Sequence, residues 1–403
     1  MKILFFDKQE KTSAGGTGTY CKEVINGLVK RGHIVIPVRF GDKDQNNHPK
    51  AIFLPYSLGD KSIYFLPTPK TFTMVKDILE KEKPDVIHLN LGISLLDFYI
   101  PKQAHQRKIP VVGILHTGIS SNKTLTLENL GSKSLFVSHL SCFSQLDKVL
   151  VFSSQIKNFL FSLGLKENKI EVFPNFVDCQ KYSPGKSNFK KERNIKFAFL
   201  FLGRIDKIKN PDILIECFLK IKPVFGQKLI LVGAGTIGSL YSKLLKKYKK
   251  YPQIIFTGPI SEINRKVDII RAADVFVLPS SIEGMSFALL ETMACGLAPI
   301  VSDAGNHEEV VDDAGIVIEH NKLKDQLPIT LQVFVKNPYF AKILGQKARQ
   351  KVSQSYNQEN QINKLVQIYQ KVILERRKIK PKPNLVMKIS GGLGRSFRSW
   401  LPV

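Results

Sequence analysis

The chain has 403 residues, with 60 Lys and Arg against 34 Asp and Glu, for a net charge of +26. This length exceeds what one hydrophobic core usually supports, so we expect two domains. A hydrophobic content of 43% excludes a disordered chain. The charge indicates either an anionic partner or a lysine-rich solvated surface.

The five cysteines form neither a CxxC pair nor a cluster with histidine. Neither a zinc site nor a disulfide framework is therefore predicted, and a reducing, cytosolic compartment is expected. The N-terminal MKILFFDK is too short an apolar run for a signal peptide. No apolar run approaches the roughly 20 residues that cross a bilayer. We predict a cytoplasmic protein.

The first half of the chain alternates buried strands with amphipathic segments. A predicted helix, TYCKEVINGLVKRG, stops at Gly32. The predicted strands are MKILFF, HIVIPVRF, PDVIHLN, IPVVGILHT and KVLVFSS. Buried strands that alternate with helices predict a parallel sheet covered on both faces.

The alternation breaks near Ser183, where SPGKSNFKKERN has the composition of a linker, and then restarts. The second set of predicted strands is KFAFLFLG, KLILVGAG, QIIFTG, DVFVLP and APIVSD. Two such units in tandem place a cleft between the carboxyl edges of their sheets. We predict domains at 1–184 and 185–355, then a long amphipathic helix at 356–377 and a basic tail at 378–403.

Three glycines, Gly233, Gly235 and Gly238, spell the GxGxxG pattern of dinucleotide-binding proteins after a strand. The segment that follows them, KKYKKYPQIIFTGPIS, lacks the acidic residue that would bind a ribose. A redox function is therefore disfavoured. The glycines either let the backbone approach a ligand or let a helix pack close to the sheet.

The segment SSIEGMSFALLETMACG carries Glu283 and Glu291 in a mostly apolar run. One interpretation is a helix with one acid at its N-terminus and one on a solvated face. The other is a pair of carboxylates that bind one polar ligand.

Several segments then converge on one family. FLFLGRIDKIKN places Gly203, Arg204 and Lys209 after a strand, and 271–311 contains the two glutamates as an E-x7-E element. SAGGTGTY and the strand end at His116 match more loosely, and FPNFVD has Phe176 where a glycine is usual. Through these matches, most of the chain from residue 1 to residue 376 resembles glycosyltransferases of family 4.

The resemblance implies an α/β protein of the GT-B fold. Two Rossmann-like domains would face each other across a cleft, and a C-terminal helix would cross back to the N-terminal domain. The implied activity is that of a retaining, hexosyltransferase-type enzyme. It would move a sugar from a UDP-, GDP- or ADP-linked donor to a glycan or lipid-linked acceptor, in cell-surface polysaccharide or glycolipid synthesis.

The resemblance also assigns roles to residues. The catalytic set is Glu283, His116, Arg204 and Lys209. The set that binds the nucleotide sugar is Gly15, Gly16, Gly203, Gly235, Gly284, Met285, Ser286, Phe287 and Glu291. Glu283 and His116 would bind the sugar, and Glu291 the ribose. The two cations would neutralise the leaving diphosphate, so neither a metal nor another cofactor is expected.

Other readings stay open. A sugar-nucleotide epimerase of similar build is one alternative, and a nucleic-acid- or anion-binding protein is another, although no nucleic-acid motif is present and no nucleic acid is expected. The acceptor would bind near the polar segment 121–135. The basic tail, with apolar residues such as Phe397 and Trp400, is either disordered or in contact with an anionic membrane surface.

Overall fold

A computed structural model describes residues 1–7, 15–40, 50–55, 67–92, 94–116, 139–233 and 240–378. These residues form two parallel sheets, each flanked by helices. Within the described residues, no helix is both long enough and apolar enough to cross a membrane.

The first sheet has seven parallel strands in the order β3-β2-β1-β4-β5-β6-β7. The strands are β1 Lys2–Asp7, β2 Ile34–Phe40, β3 Ile52–Leu54, β4 Val86–Leu91, β5 Val111–Leu115, β6 Lys148–Val151 and β7 Ile170–Val172. The helices are α1 Gly16–Lys30, α2 Pro69–Glu82, α3 Leu96–Gln106, α4 at 139–145 and α5 Ser154–Ser162. The central strands β4 and β5 are buried throughout, and β1 is buried from Ile3 onward, as a sheet with two covered faces requires.

The second sheet has six parallel strands in the order β10-β9-β8-β11-β12-β13. Its strands are β8 Phe197–Leu202, β9 Gln227–Val232, β10 Ile254–Gly258, β11 Val275–Leu278, β12 Ala298–Ser302 and β13 Ile316–Ile318. Its helices are α6 Asn188–Glu192, α7 Pro211–Lys220, α8 Leu240–Tyr248, α9 Ile263–Arg271, α10 Phe287–Ala294, α11 His307–Val311, α12 Leu323–Lys336 and α13 Pro338–Ser355.

The last described helix, α14 Gln358–Lys378, returns to the first sheet. Its residue Ile362 packs onto α1, where a methyl group on Gly27 would lie 2.8 Å from the Ile362 side chain. The Tyr369 hydroxyl is 2.7 Å from Nδ1 of buried His88 in β4. Nearer its end, Arg376 forms an ion pair with Asp147. The predicted return of the C-terminal helix to the N-terminal domain is confirmed.

The prediction of two Rossmann-like domains in a GT-B arrangement is confirmed, and the domain limits stay a prediction. Strands β3, β7 and β13 were not predicted, because three-residue strands show no clear periodicity. Of the predicted pair Gly15 and Gly16, Gly15 lies at the N-cap of α1 and Gly16 is the first residue of the helix.

Candidate active site

The carboxyl edges of the two sheets meet through the segment after β7 and the loop before α10. The backbone N–H of Asn175 donates to the sulfur of Met285 at 2.9 Å, and its side-chain amide donates to the Met285 carbonyl at 2.9 Å. The backbone N–H of Ser154 donates to a carboxylate oxygen of Glu309 at 3.3 Å. These contacts bring the strand ends of both domains to one cleft.

Two helix N-termini face each other across this cleft. Ser286 caps α10, and its hydroxyl accepts a hydrogen bond from the backbone N–H of Leu289 at 3.3 Å. A methyl group on Gly16, in the first turn of α1, would lie only 3.9 Å from the ring of Phe287. The first turn of any helix has backbone N–H groups without helical partners, and it carries partial positive charge. The pair is therefore suited to bind an anion between the two domains.

Glu283 lies just before α10 in an ion pair with Lys209. The lysine Nζ contacts Oε1 of Glu283, and the side chains are only 15% and 8% exposed, respectively. The Ser280 hydroxyl donates to the same carboxylate oxygen at 2.8 Å. Among the described residues, nothing donates a hydrogen bond to Oε2. Lys209 thus orients the Glu283 carboxylate and leaves its Oε2 available. Lys209 is therefore part of an ion pair and is not an unpaired cation.

Arg204 follows the carboxyl end of β8 and is well exposed, with its side chain 62% accessible. Its guanidinium lies 3.3 Å from Asp206 Oδ2. Asp206 also accepts a hydrogen bond from the backbone N–H of Lys209 at 3.1 Å, which closes the short turn that carries the lysine. One aspartate thus links the two predicted cations, and Arg204 keeps enough accessible surface to contact an anionic ligand.

Glu291 is buried within α10 and both of its oxygens are engaged. Oε1 accepts a hydrogen bond from the Tyr182 hydroxyl at 2.9 Å, and Oε2 lies 2.6 Å from Lys266 Nζ. Burial, and then the nearby Glu291 carboxylate, raise the pKa of Tyr182 well above its ordinary value. A carboxylate has about four lone-pair positions, so room for further hydroxyl donors remains. No sequence motif singles out Tyr182 or Lys266 as a partner of Glu291.

His116 follows β5 and is packed against two neighbouring aromatic rings. The ring centroids of Tyr20 and Phe152 lie 4.9 and 5.5 Å from that of the imidazole. His116 Nε2 is 2.9 Å from Oδ1 of Asn90, at the end of β4. Burial lowers the pKa of His116 to about 3, so the imidazole is neutral at physiological pH.

The loop after β12 supports the backbone of Glu283. Gly305 has a φ of +60°, and a methyl group there would overlap the carbonyl of Glu283. Farther along, buried His307 places Nδ1 2.9 Å from the Ser302 carbonyl. Within the described residues, three buried acceptors beside the cleft lack a partner: Oδ1 of Asn175, Oδ1 of Asn306 and Nε2 of His307. A bound polar ligand or water would satisfy such atoms.

The glycines of the GxGxxG pattern divide into two groups. Gly233 has a positive φ, and a methyl group there would overlap the carbonyl of Gly203, so it permits close contact between the turns after β8 and β9. Gly235 and Gly238 lie outside the described residues.

Two other predicted glycines lie at element ends: Gly203 directly follows β8, and Gly284 lies three residues before α10. Within the described ranges, no group of three or more His, Cys, Asp or Glu is placed to bind a metal.

Two facing α/β sheets with a polar cleft between them define the architecture of GT-B glycosyltransferases. Residues 14–181 match the family described as Glycosyltransferase Family 4, and residues 184–351 match Glycosyl transferases group 1. The chain belongs to glycosyltransferase family 4 and is a glycosyltransferase enzyme.

Curated relatives align over most of the chain. N-acetyl-alpha-D-glucosaminyl L-malate synthase of Bacillus anthracis is 24% identical, over 90% of this chain and 95% of that protein. The UDP-Gal:alpha-D-GlcNAc-diphosphoundecaprenol alpha-1,3-galactosyltransferase of Escherichia coli is 25% identical, over 81% of this chain and 85% of that protein.

Solved structures show the same fold. Sucrose-phosphate synthase from Thermosynechococcus elongatus superposes with a TM-score of 0.73 at 20% identity, covering 93% of this chain and 99% of that chain. Anabaena HepE in complex with UDP superposes with a TM-score of 0.74 at 17% identity, covering 92% of this chain and all of that chain. The same protein has also been solved with UDP-glucose.

Proposed function

We propose that the enzyme transfers a hexosyl group from a nucleotide sugar to a hydroxyl of a glycan or lipid-linked acceptor, with retention of anomeric configuration. The observation that carries this proposal is the Lys209–Glu283 pair, which lies at the N-terminus of α10 opposite the N-terminus of α1. This arrangement combines an anion site with an oriented carboxylate.

The leaving diphosphate would lie between the two helix N-termini. Its charge grows as the bond to the sugar breaks, so the backbone amides near Gly16 and Phe287 would stabilise the transition state. The exposed Arg204 guanidinium would form bidentate hydrogen bonds with the phosphate oxygens, and Lys209 would add a nearby positive charge. In this proposal these cations serve where other transferases use a metal.

The sugar and the ribose would contact the two glutamates. Oε2 of Glu283 would accept hydrogen bonds from sugar hydroxyls, and His116 would bind the same sugar from the opposite domain. Glu291 would accept hydrogen bonds from the ribose hydroxyls. Tyr182 and Lys266 hold its carboxylate in place, so the ribose meets an acceptor that does not have to reorganise.

The relatives support the substrate classes. HepE binds UDP and UDP-glucose, and the Escherichia coli relative acts on a diphosphoundecaprenol-linked sugar. We extend these classes to this chain as a nucleotide-sugar donor and a glycan or lipid-linked acceptor, in cell-surface polysaccharide or glycolipid synthesis at the cytoplasmic side of a membrane. The acceptor segment 121–135 and the basic tail lie outside the described residues.

A thermal-shift panel of UDP-, GDP- and ADP-sugars tests the donor class. One nucleotide should raise the melting temperature strongly, because a ligand bound only to the folded state stabilises it. Proton NMR of the product formed with that donor then reports the anomeric configuration. An inverted product would overturn the retaining mechanism.

The ribose assignment predicts a specific loss in Glu291→Ala. Loss of a charged acceptor should weaken nucleotide binding by about 2–3 kcal/mol, or about 30- to 150-fold in Kd. Calorimetry measures this loss, and a melting curve without nucleotide separates it from lost stability. The exposed Glu308→Ala serves as control. Unchanged affinity in a folded Glu291→Ala protein would exclude the ribose role.

The membrane contact has its own test. The full chain and a variant that ends at Arg377 should differ in sedimentation with anionic vesicles at low salt. The reason is that each Lys or Arg near such a surface contributes about 1 kcal/mol. Equal and negligible binding by both proteins would remove the membrane from the proposal.

A further inference from the structure

A line of polar side chains runs along the carboxyl edge of the first sheet and ends at His116. Asp7 is the last residue of β1, and Asn90 lies near the end of β4. Between them lies Cys21, on the buried face of α1. Asp7, Cys21 and Asn90 are at most 4% exposed. These three side chains are therefore shielded from bulk water.

The hydrogen bonds in this line have one direction. Asp7 lies 3.3 Å from Arg39 in an ion pair, and a carboxylate only accepts. The Cys21 thiol therefore donates to Asp7 Oδ1, at 3.3 Å. The thiol sulfur is then an acceptor for the Asn90 amide group, at 3.0 Å. With its amide nitrogen directed to the sulfur, Asn90 presents its carbonyl oxygen to His116.

That carbonyl oxygen determines where the imidazole hydrogen lies. Asn90 Oδ1 is 2.9 Å from His116 Nε2 and can only accept, so Nε2 carries the hydrogen. A neutral imidazole with hydrogen on Nε2 has its lone pair on Nδ1. Among the described residues, no hydrogen bond reaches Nδ1. The ring itself is held by Tyr20 and Phe152.

We propose that Asn90 is a positioning residue that sets the tautomer of His116, so that Nδ1 accepts a hydrogen bond from a hydroxyl of the bound sugar. The hydroxyl-accepting step rests on the proposed function, whereas the tautomer does not. If His116 were only a packed histidine at the end of a strand, either tautomer of its imidazole would fit. The ordered line from Asp7 specifies one of the two.

The surroundings of His116 keep the neutral form. Asn90, Tyr20 and Phe152 are uncharged at neutral pH. Buried His88, whose Nε2 lies 3.4 Å from the Tyr20 hydroxyl, also has a pKa lowered by burial and then by His116. A change from Asn90 to Asp would place a carboxylate at Nε2. The imidazolium would then be stabilised, and the lone pair on Nδ1 would be lost.

The test uses the full chain with 15N-labelled histidine and two-bond proton–nitrogen NMR. His116→Gln assigns the His116 signals among the eight histidines. We expect wild-type His116 to show a protonated Nε2 and an unprotonated Nδ1 from pH 8 to pH 5. In Asn90→Asp both nitrogens should be protonated at a pH where the wild type is neutral. In Asn90→Leu the single tautomer should become a mixture.

Transfer activity gives the second readout. Asn90→Asp should lower kcat/KM about tenfold at neutral pH, the loss expected for one hydrogen bond, and should regain activity as the pH rises past the new His116 titration. Asn158→Asp, an exposed substitution with the same charge change, should leave the profile unchanged. Cys21→Ser preserves the donor and acceptor order, so it should retain both tautomer and activity.

Three results would overturn the inference. These are a hydrogen on Nδ1 in the wild type, a persistent pure Nε2–H tautomer in Asn90→Leu, or a wild-type pH profile in Asn90→Asp. If Asn90→Leu does not fold, the wild-type spectrum and the Asn90→Asp titration still decide whether Asn90 sets the tautomer of His116. The NMR readout needs no substrate, so failure of the proposed transfer reaction and failure of the tautomer assignment are separate outcomes.

Discussion

Replacement of Lys209 by Met tests whether the Lys209–Glu283 pair acts as one unit. In the native protein the two side chains are 15% and 8% exposed, and the Ser280 hydroxyl shares Oε1 with the lysine. Lys209→Met keeps the length of the side chain and removes its charge. Glu283 is then left buried with one hydroxyl donor as its partner.

The expected magnitude follows from this burial. Removal of one partner of a buried ion pair usually costs about 3–5 kcal/mol, because the remaining charge is uncompensated. Glu283→Gln alone leaves Lys209, whose side chain is more exposed and can reach water, so a smaller cost is expected. The double variant has neither charge and should be more stable than Lys209→Met by about 2 kcal/mol or more.

Urea unfolding followed by circular dichroism of the four proteins forms a double-mutant cycle. We expect a coupling free energy of about 2 kcal/mol or more between positions 209 and 283. A parallel cycle on Lys322 and Glu319, an exposed ion pair, should give less than about 1 kcal/mol. Additive effects at 209 and 283, within about 0.5 kcal/mol, would refute the view that this pair is a coupled buried unit.

Two further predictions concern backbone contact and pH. Gly233→Ala should lower stability by about 2 kcal/mol or more, because its methyl group meets the Gly203 carbonyl. Gly15→Ala should melt like the wild type, because, apart from its chain neighbours, no atom of the described residues lies within 4 Å of the added methyl group. Equal melting temperatures for the two variants would contradict the close approach at Gly233. Burial lowers the pKa of His88 to about 3, below the roughly 6.5 of an unfolded chain, so the unfolded state binds the proton first. Between these two pKa values His88 alone therefore lowers stability by about 1.4 kcal/mol per pH unit as the pH falls, and His116 adds a similar contribution. His88→Gln should reduce this slope by one proton in urea titrations from pH 8 to pH 5, and an unchanged slope would rule out His88 as its source.

The alternation of buried strands and amphipathic helices was sufficient to predict both sheets, because burial on two faces imposes continuous apolar runs. Local signals also predicted the end of α1 at Gly32, two residues beyond its last residue Lys30, and the start of the return helix at 356, two residues before Gln358. The apolar run between the two glutamates predicted a helix. Glu283 lies just before α10, and Glu291 lies within it, where it is buried and not on a solvated face. These features depend on residues close together in the chain, which is why periodicity and turn chemistry reveal them.

The partners of the site residues were decided only by the tertiary structure. Lys209 is 74 residues from Glu283, and Tyr182 is 109 from Glu291. The hydrogen bonds from Asp7 to His116 join residues of different strands and a helix. No local pattern records such pairs, because which side chains meet depends on strand order and on how closely the helices approach the sheet. The sequence by itself therefore determined the architecture and proposed the candidate site residues, whereas packing determined which oxygen or nitrogen each candidate offers to the cleft.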